Sequence, residues 1–152
     1  MKTVVGDLLQ LALGGHFDVI IHGCNCFCSM GAGIARAIKL EFPEAFSADA
    51  NTKKGDKSKL GSYSHATVNR DGHSITIING YTQYNYSGRS VLVDYKAVST
   101  LFAELKKEYP GKRLCYPKIG AGLAGGDWNI ISAIIDKELG EENHTLVIFD
   151  GS

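Results

Sequence analysis

Residues 22–39 read HGCNCFCSMGAGIARAIK, and their reading decides the fold. Before them stands an apolar run, Val19-Ile20-Ile21, that gives way at once to polar and small residues. After Gly31-Ala32-Gly33 the pattern becomes helical, with Ile34, Ala35, Ile38 and Lys39 at helix spacing. A strand that passes through a glycine-rich turn into a helix gathers free backbone N–H groups at one point. The positive end of the helix dipole lies at the same point. Glycine there lets the backbone approach a phosphate that a Cβ would hold away. The stretch points to a nucleotide-like diphosphate as ligand.

Working outward, the same arrangement recurs. Gly120-Ala121-Gly122 sits in a loop over 117–126 that follows a short strand at 113–116 and precedes a helix over 128–139. Ligands of open α/β sheets lie beyond the carboxyl ends of the strands, where such loops gather. Two matched loops favour phosphate binding over a pair of incidental tight turns. Neither is the dinucleotide fingerprint, because Arg36 stands where the third glycine would be, and no Gly-Lys-Ser/Thr ending marks a P-loop.

The remaining elements follow in chain order. Residues 1–5 form a strand, and Gly6-Asp7 opens a helix through Leu8, Leu9, Leu11 and Ala12, with Asp7 as its N-cap and Gly14-Gly15 as its stop. A buried strand over 18–23 leads to the central loop, a helix spans 31–41, and Pro43 restarts a second one. Strand alternation over 60–68, a turn at Arg70-Asp71-Gly72 and a strand over 74–78 make a hairpin. Residues 79–90 read as a loop rich in Tyr, Asn and Gly. The longest helix, over 91–109, carries Val91, Tyr95, Val98, Leu101, Phe102 and Leu105 as one stripe. A strand over 145–149 ends the chain. Strands alternating with helices, plus one hairpin, predict a single α/β domain over 1–152, a sandwich with a mixed sheet.

Composition narrows the function. The chain has 152 residues, 44% hydrophobic and 21% charged, with 16 basic residues balancing 16 acidic ones. That balance gives no electrostatic case for a nucleic-acid or membrane surface as partner. The lysine-rich stretch 53–59 reads as a solvated loop. Asp7 interrupts the opening apolar segment, so no secretory signal is expected, and no apolar run reaches membrane-spanning length. Cys24, Cys26 and Cys28 alternate along an extended segment, with Cys115 the fourth, which resembles neither a disulfide framework nor a zinc site. No metal and no cofactor are expected, Cys24 is expected to be buried and inert, and a reducing cytoplasmic setting follows. His22 and Asn25 end a strand beside the first glycine loop and are candidate site residues, while Asp127 is either a helix cap or a candidate. Tyr81, Tyr84 and Tyr86 suit a lid over a ring or sugar.

Gly6-Asp7, His22-Gly23-Cys24-Asn25, Gly31-Ala32-Gly33-Ile34-Ala35 and Pro117-Lys118-Ile119-Gly120-Ala121-Gly122-Leu123, in this order, resemble the macrodomain family over nearly the whole chain. Within it the pattern looks closest to the branch of the terminal ADP-ribose glycohydrolases and the yeast-type ADP-ribose-1″-phosphate phosphatase. The resemblance implies a three-layer α/β/α macrodomain with a central mixed sheet of about six strands, and ADP-ribose lying across the strand ends. Asp7, beside Leu8, would accept the adenine amino group, and Phe149 would pack on the adenine face. The backbone of Gly31, Ala32, Gly33 and Ile34, and of Ile119, Gly120, Ala121 and Gly122 with Leu123 following, would hold the diphosphate. Asn25 would face the distal ribose. In the glutamate- and thymidine-directed glycohydrolases a lysine before the tyrosine-rich loop and an aspartate after the second glycine loop carry the chemistry. Those positions read Tyr81 and Ala124 here. The His-x-Cys-Asn-Cys pattern of the phosphatase type is matched by His22 to Cys26.

The expected function is hydrolysis of an ADP-ribose derivative at the distal ribose. Loss of phosphate would make the chain an ADP-ribose-1″-phosphate phosphatase, and loss of a base or side chain an ADP-ribosyl glycohydrolase. His22 would be the general acid or base, Asn25 would orient the ribose, and Asp127 is a weaker candidate for activating water. The alternative is a non-catalytic reader of ADP-ribose or of ADP-ribosylated protein or DNA, with no membrane partner in either case.

Overall fold

A computed structural model describes residues 1–88 and 90–151. Six strands form one sheet in the order β1-β6-β5-β2-β4-β3: β1 (Lys2–Val5), β2 (Val19–Cys24), β3 (Tyr63–Arg70), β4 (His73–Tyr81), β5 (Leu114–Tyr116) and β6 (His144–Ile148). All neighbours are parallel except the β3–β4 hairpin, so the sheet is mixed.

Period-two alternation builds the layers, and β2 makes it plain. Ile20 and Cys24 point into one core, which is closed by α1 (Leu8–Leu13), α2 (Gly33–Glu41) and α3 (Pro43–Ala50). Val19 and Ile21 point into the other, closed by α4 (Tyr95–Glu108) and α5 (Trp128–Leu139). The α4 stripe Val98, Leu101, Phe102 and Leu105 is fully buried there, beside Ile131, Ile135 and Leu139 of α5. The result is the expected three-layer α/β/α sandwich. No helix among the described residues is long and apolar enough to cross a membrane.

Several boundaries differ from the sequence reading. The strand expected over 60–68 is Tyr63–Arg70, because the 3-10 turn Lys57–Lys59 ends on Leu60, and the helix expected from 31 starts at Gly33. The segment 79–90 is not all loop, because β4 continues through Asn79, Gly80 and Tyr81, paired to His22, Gly23 and Cys24 of β2. The helix expected from residue 91 starts only at Tyr95. Asp94 takes the N-cap by accepting the Ala97 N–H at 3.0 Å, which fixes the first turn there. Ahead of it, Val93 bridges Gln83, Leu92 N–H donates to the Ala124 carbonyl, and Val91 is exposed.

Candidate functional site

A cleft of about 530 Å³ opens beyond the carboxyl ends of β2 and β5, a size that suits a small ligand. The loop from β2 to α2 makes one wall. Its first residue, Asn25, turns the chain by accepting the Phe27 N–H on Oδ1 at 2.8 Å, and its Nδ2 donates to Ser29 Oγ at 2.7 Å. Among the described residues, one amide hydrogen of Asn25 stays uncommitted. Cys28 (φ 57°) and Met30 (φ 42°) adopt left-handed conformations without being glycine, a strain found where loops clamp ligands. The loop then delivers α2, whose N-cap Ala32 makes no side-chain capping bond. The starts of α1, α4 and α5 are instead capped by Asp7, Asp94 and Asp127. The first N–H groups of α2 therefore lack a side-chain acceptor, at the end where the dipole favours an anion.

The facing wall is the loop after β5, with Ile119, Gly120, Gly122 and Leu123 on the cleft. Its glycines are of two kinds. A Cβ on Gly120 would stand 2.6 Å from Val93 Cγ2, and one on Gly126 would stand 2.5 Å from Val93 Cγ1, so the fold itself requires them. A Cβ on Gly122 or on Gly33 would meet nothing within 4 Å. Gly33 is left-handed (φ 57°), which favours glycine on conformational grounds alone. Neither packing nor backbone conformation calls for glycine at Gly122, where close approach of a ligand would.

Both expected diphosphate segments thus meet across one cleft, Ala121 alone falling outside its lining. Asn25 lines it as well. Asp7 and Phe149 follow the paired ends of β1 and β6, where Gly6 N–H donates to the Ile148 carbonyl at 2.8 Å. They are neighbours at that edge of the sheet, outside the lining of the cleft. Phe149 is exposed, Asp7 Oδ1 caps α1, and Leu8 is buried in the core.

His22 requires correction as an acid–base candidate. Its ring is fully buried on the α3 side of the sheet and does not line the cleft. Asn79 Nδ2 donates to the Ala45 carbonyl at 2.9 Å and to Ser64 Oγ at 3.1 Å, which turns Asn79 Oδ1 toward His22. His22 Nε2–H therefore donates to it at 2.7 Å. Burial pushes the imidazole down to about 4, so it is neutral near pH 7. Asp127 also falls away from the cleft: it is exposed, and its Oδ1 accepts the Asn129 N–H at 2.8 Å as the cap of α5. Of the three tyrosines, only Tyr86 lines the cleft. Tyr81 is buried in β4, and Tyr84 Oη donates to the Gly55 carbonyl. Cys24 is buried as expected, and its thiol is held well above its usual range by burial first and then by the nearby Asp49.

The residue the sequence did not reveal is Asp49. It comes from α3, is 1% exposed, and forms part of the cleft lining beside Cys24, Asn25 and Met30. Tyr81 Oη donates to its Oδ1 at 2.7 Å, and Ser64 Oγ stands 2.8 Å from the same hydroxyl. Lys59, expected in a solvated loop, is buried. Its Nζ donates to Thr52 Oγ1 at 2.9 Å and lies 4.9 Å from the Tyr81 ring centroid. Burial raises the Asp49 carboxyl above its usual range, against the opposing pull of the Tyr81 hydroxyl and Lys59. One signal was available. Asp49 lies four residues after Ala45, a charged residue on the buried face of α3.

No family model matches the chain. Among curated proteins, the 17.5 kDa protein of the tk-vs intergenic region of Enterobacteria phage T4 is 36% identical over 141 residues, covering 90% of this chain and 88% of that one. The ADP-ribose 1″-phosphate phosphatase of Debaryomyces hansenii is 26% identical over 166 residues, covering 90% and 93%. Among solved structures, the macrodomain of Thermus aquaticus DarG superposes with a TM-score of 0.71 at 18% identity, over 97% of this chain and 96% of that one. Thermosipho africanus DarTG in complex with ADP-ribose gives 0.71 at 17% identity, over 97% of this chain and 42% of that one. The chain has the macrodomain fold, and it belongs to one family with the phage T4 protein.

Proposed function

We propose that the chain binds ADP-ribose and hydrolyses an ADP-ribose derivative at the distal ribose. One observation carries the reading. The uncapped helix start at Gly33 and Gly122, a glycine that neither packing nor backbone conformation requires, both line a cleft that also holds Asn25 and a buried carboxylate. The walls suit a diphosphate, and the far end is polar, desolvated and close to the position implied for the distal ribose. The name of the Debaryomyces relative and the ligand of the Thermosipho structure support the same chemistry.

Cleavage at the anomeric carbon develops positive charge on the sugar and negative charge on the leaving group, so the site must hold both and position a water. A lysine-based covalent route has no residue at position 81, where the Tyr81 hydroxyl is buried and raised far above its usual range by desolvation. Direct attack by water is the remaining route. The test is incubation of the protein with ADP-ribose-1″-phosphate, ADP-ribosylated DNA and ADP-ribosylated protein in parallel, following release of phosphate or ADP-ribose. Turnover of one of them supports the reading and names the leaving group.

A second reading, a non-catalytic reader, is favoured by one specific feature. Positions 81 and 124, which carry the chemistry in the glycohydrolases, hold buried Tyr81 and Ala124. Calorimetric binding of ADP-ribose with no turnover of any of the three substrates establishes the reader and removes the hydrolase.

A further inference from the structure

We propose that Asp49 is the catalytic base of this site, taking a proton from the water that attacks the distal ribose; this rests on the hydrolase reading above. Among the described residues, the ionisable side chains lining the cleft are Cys24, Asp49, Tyr86 and Lys118, and Asp49 is the one carboxylate. Lys118 belongs to the exposed diphosphate loop, and Cys24 is held as a neutral thiol. His22 and Asp127, the sequence candidates, do not reach the cleft.

The surroundings of Asp49 suit a base rather than a structural carboxylate. Oδ1 is committed to the Tyr81 hydroxyl at 2.7 Å, and among the described residues Oδ2 accepts no protein hydrogen bond. Among the described residues no ion pair within 4.0 Å neutralises it. The groups around it are Lys59 from the 3-10 turn Lys57–Lys59, Tyr81 from β4, Cys24 from β2 and Cys26 from the following loop, where Cys28 Sγ also donates to the Asp49 backbone carbonyl at 3.2 Å. Of these Lys59 is the basic side chain, and it favours the ionised carboxylate. A buried carboxylate left with one open oxygen, in the lining of the cleft, would be costly as a purely structural feature.

The step balances without any co-reactant but water. Ionised Asp49 accepts a water proton on Oδ2 as the water oxygen bonds to C1″. The bond from C1″ to the leaving group breaks, and the leaving group departs with the electron pair. The proton then passes from Asp49 to solvent. Tyr81 acts through Asp49 as a positioning residue, because its hydroxyl holds Oδ1 and stabilises the ionised form.

Two variants and one titration test this. Asp49→Asn keeps the acceptor for Tyr81 and the side-chain volume, so turnover falls by about a hundredfold or more while ADP-ribose affinity stays within about threefold. Tyr81→Phe keeps the base but removes its stabilising donor, so the acid limb of the pH–rate profile moves to higher pH while the plateau holds within about tenfold. An Asp49→Asn enzyme within tenfold of the parent, or a Tyr81→Phe limb that does not move, overturns the assignment and leaves the hydrolase reading standing. If the parent protein turns over no substrate, the hydrolase reading fails instead. The carbon-13 titration of the Asp49 carboxyl then decides the contact. A midpoint displaced by ADP-ribose keeps Asp49 at the ligand, and an unmoved midpoint removes it.

Discussion

Gly122→Val offers the sharpest separation of ligand geometry from folding. The residue is exposed, its φ lies outside the left-handed region, and a Cβ there meets no protein atom within 4 Å. Its N–H donates to no backbone carbonyl among the described residues. The fold therefore has no use for glycine at this site, and the substitution should change stability by no more than about 0.5 kcal/mol. A diphosphate held by the loop backbone would meet the new side chain directly. Losing two charge-assisted hydrogen bonds at about 1.5–3 kcal/mol each weakens binding by roughly a hundredfold to ten-thousandfold. Isothermal calorimetry with ADP-ribose reads the affinity, and a thermal melt on the same sample confirms the fold. Gly120→Val serves as the contrast: φ is +73° and the Cβ would stand 2.6 Å from Val93, so it should lower the melting temperature. Unchanged ADP-ribose affinity in a folded Gly122→Val protein would refute the phosphate-loop argument.

His22 and Asp127 carry predictions of a different kind. The buried His22 titrates near 4 rather than 6.5, so between those values the unfolded chain binds a proton that the folded one does not. Stability should therefore fall as pH drops through that window, by about 3 kcal/mol in all. Denaturant melts of His22→Gln, which keeps a donor for Asn79, should show a flatter acid limb than the parent, with turnover within about tenfold. A parallel slope in the two proteins refutes the buried-neutral assignment. Asp127→Ala should cost about 1 kcal/mol from the lost cap of α5, while Asp127→Asn keeps stability and turnover alike. Loss of activity in Asp127→Asn would return that residue to the chemistry.

What was legible in the sequence was what neighbours along the chain determine. Asp7 and Asp127 precede apolar helical patterns and cap them, and the run Val19-Ile20-Ile21 alternates between two cores as a central strand must. The start of α4 was missed because an apolar stripe does not show where a helix begins. Val91 fits the stripe, yet Asp94 stops the helix short of it, and tertiary bonds to Ala124 hold the intervening residues extended. His22 was misjudged for a related reason. A strand aimed at a site brings only its last residues to it. Gly23, Cys24 and Asn25 reach the cleft, whereas His22, one residue earlier, keeps its ring buried beneath α3.

The chemical end of the cleft was hidden because it is assembled from separate elements: Asp49 from α3, Tyr81 from β4, and Lys59 from a turn that reads as solvated loop. These residues also explain how Tyr81 can stand where the glycohydrolase pattern has lysine. A positive charge remains beside that position, since Lys59 Nζ lies 4.9 Å from the Tyr81 ring centroid. It does not line the cleft, so it cannot attack the sugar as a cleft-facing lysine would. Its field and the Tyr81 hydroxyl both act on Asp49, each favouring the ionised carboxylate against the cost of burial. With the cation moved behind the tyrosine, the group presented to the ligand is an acceptor instead of a nucleophilic amine. On the proposed hydrolase reading, that exchange favours activation of water over formation of a covalent adduct.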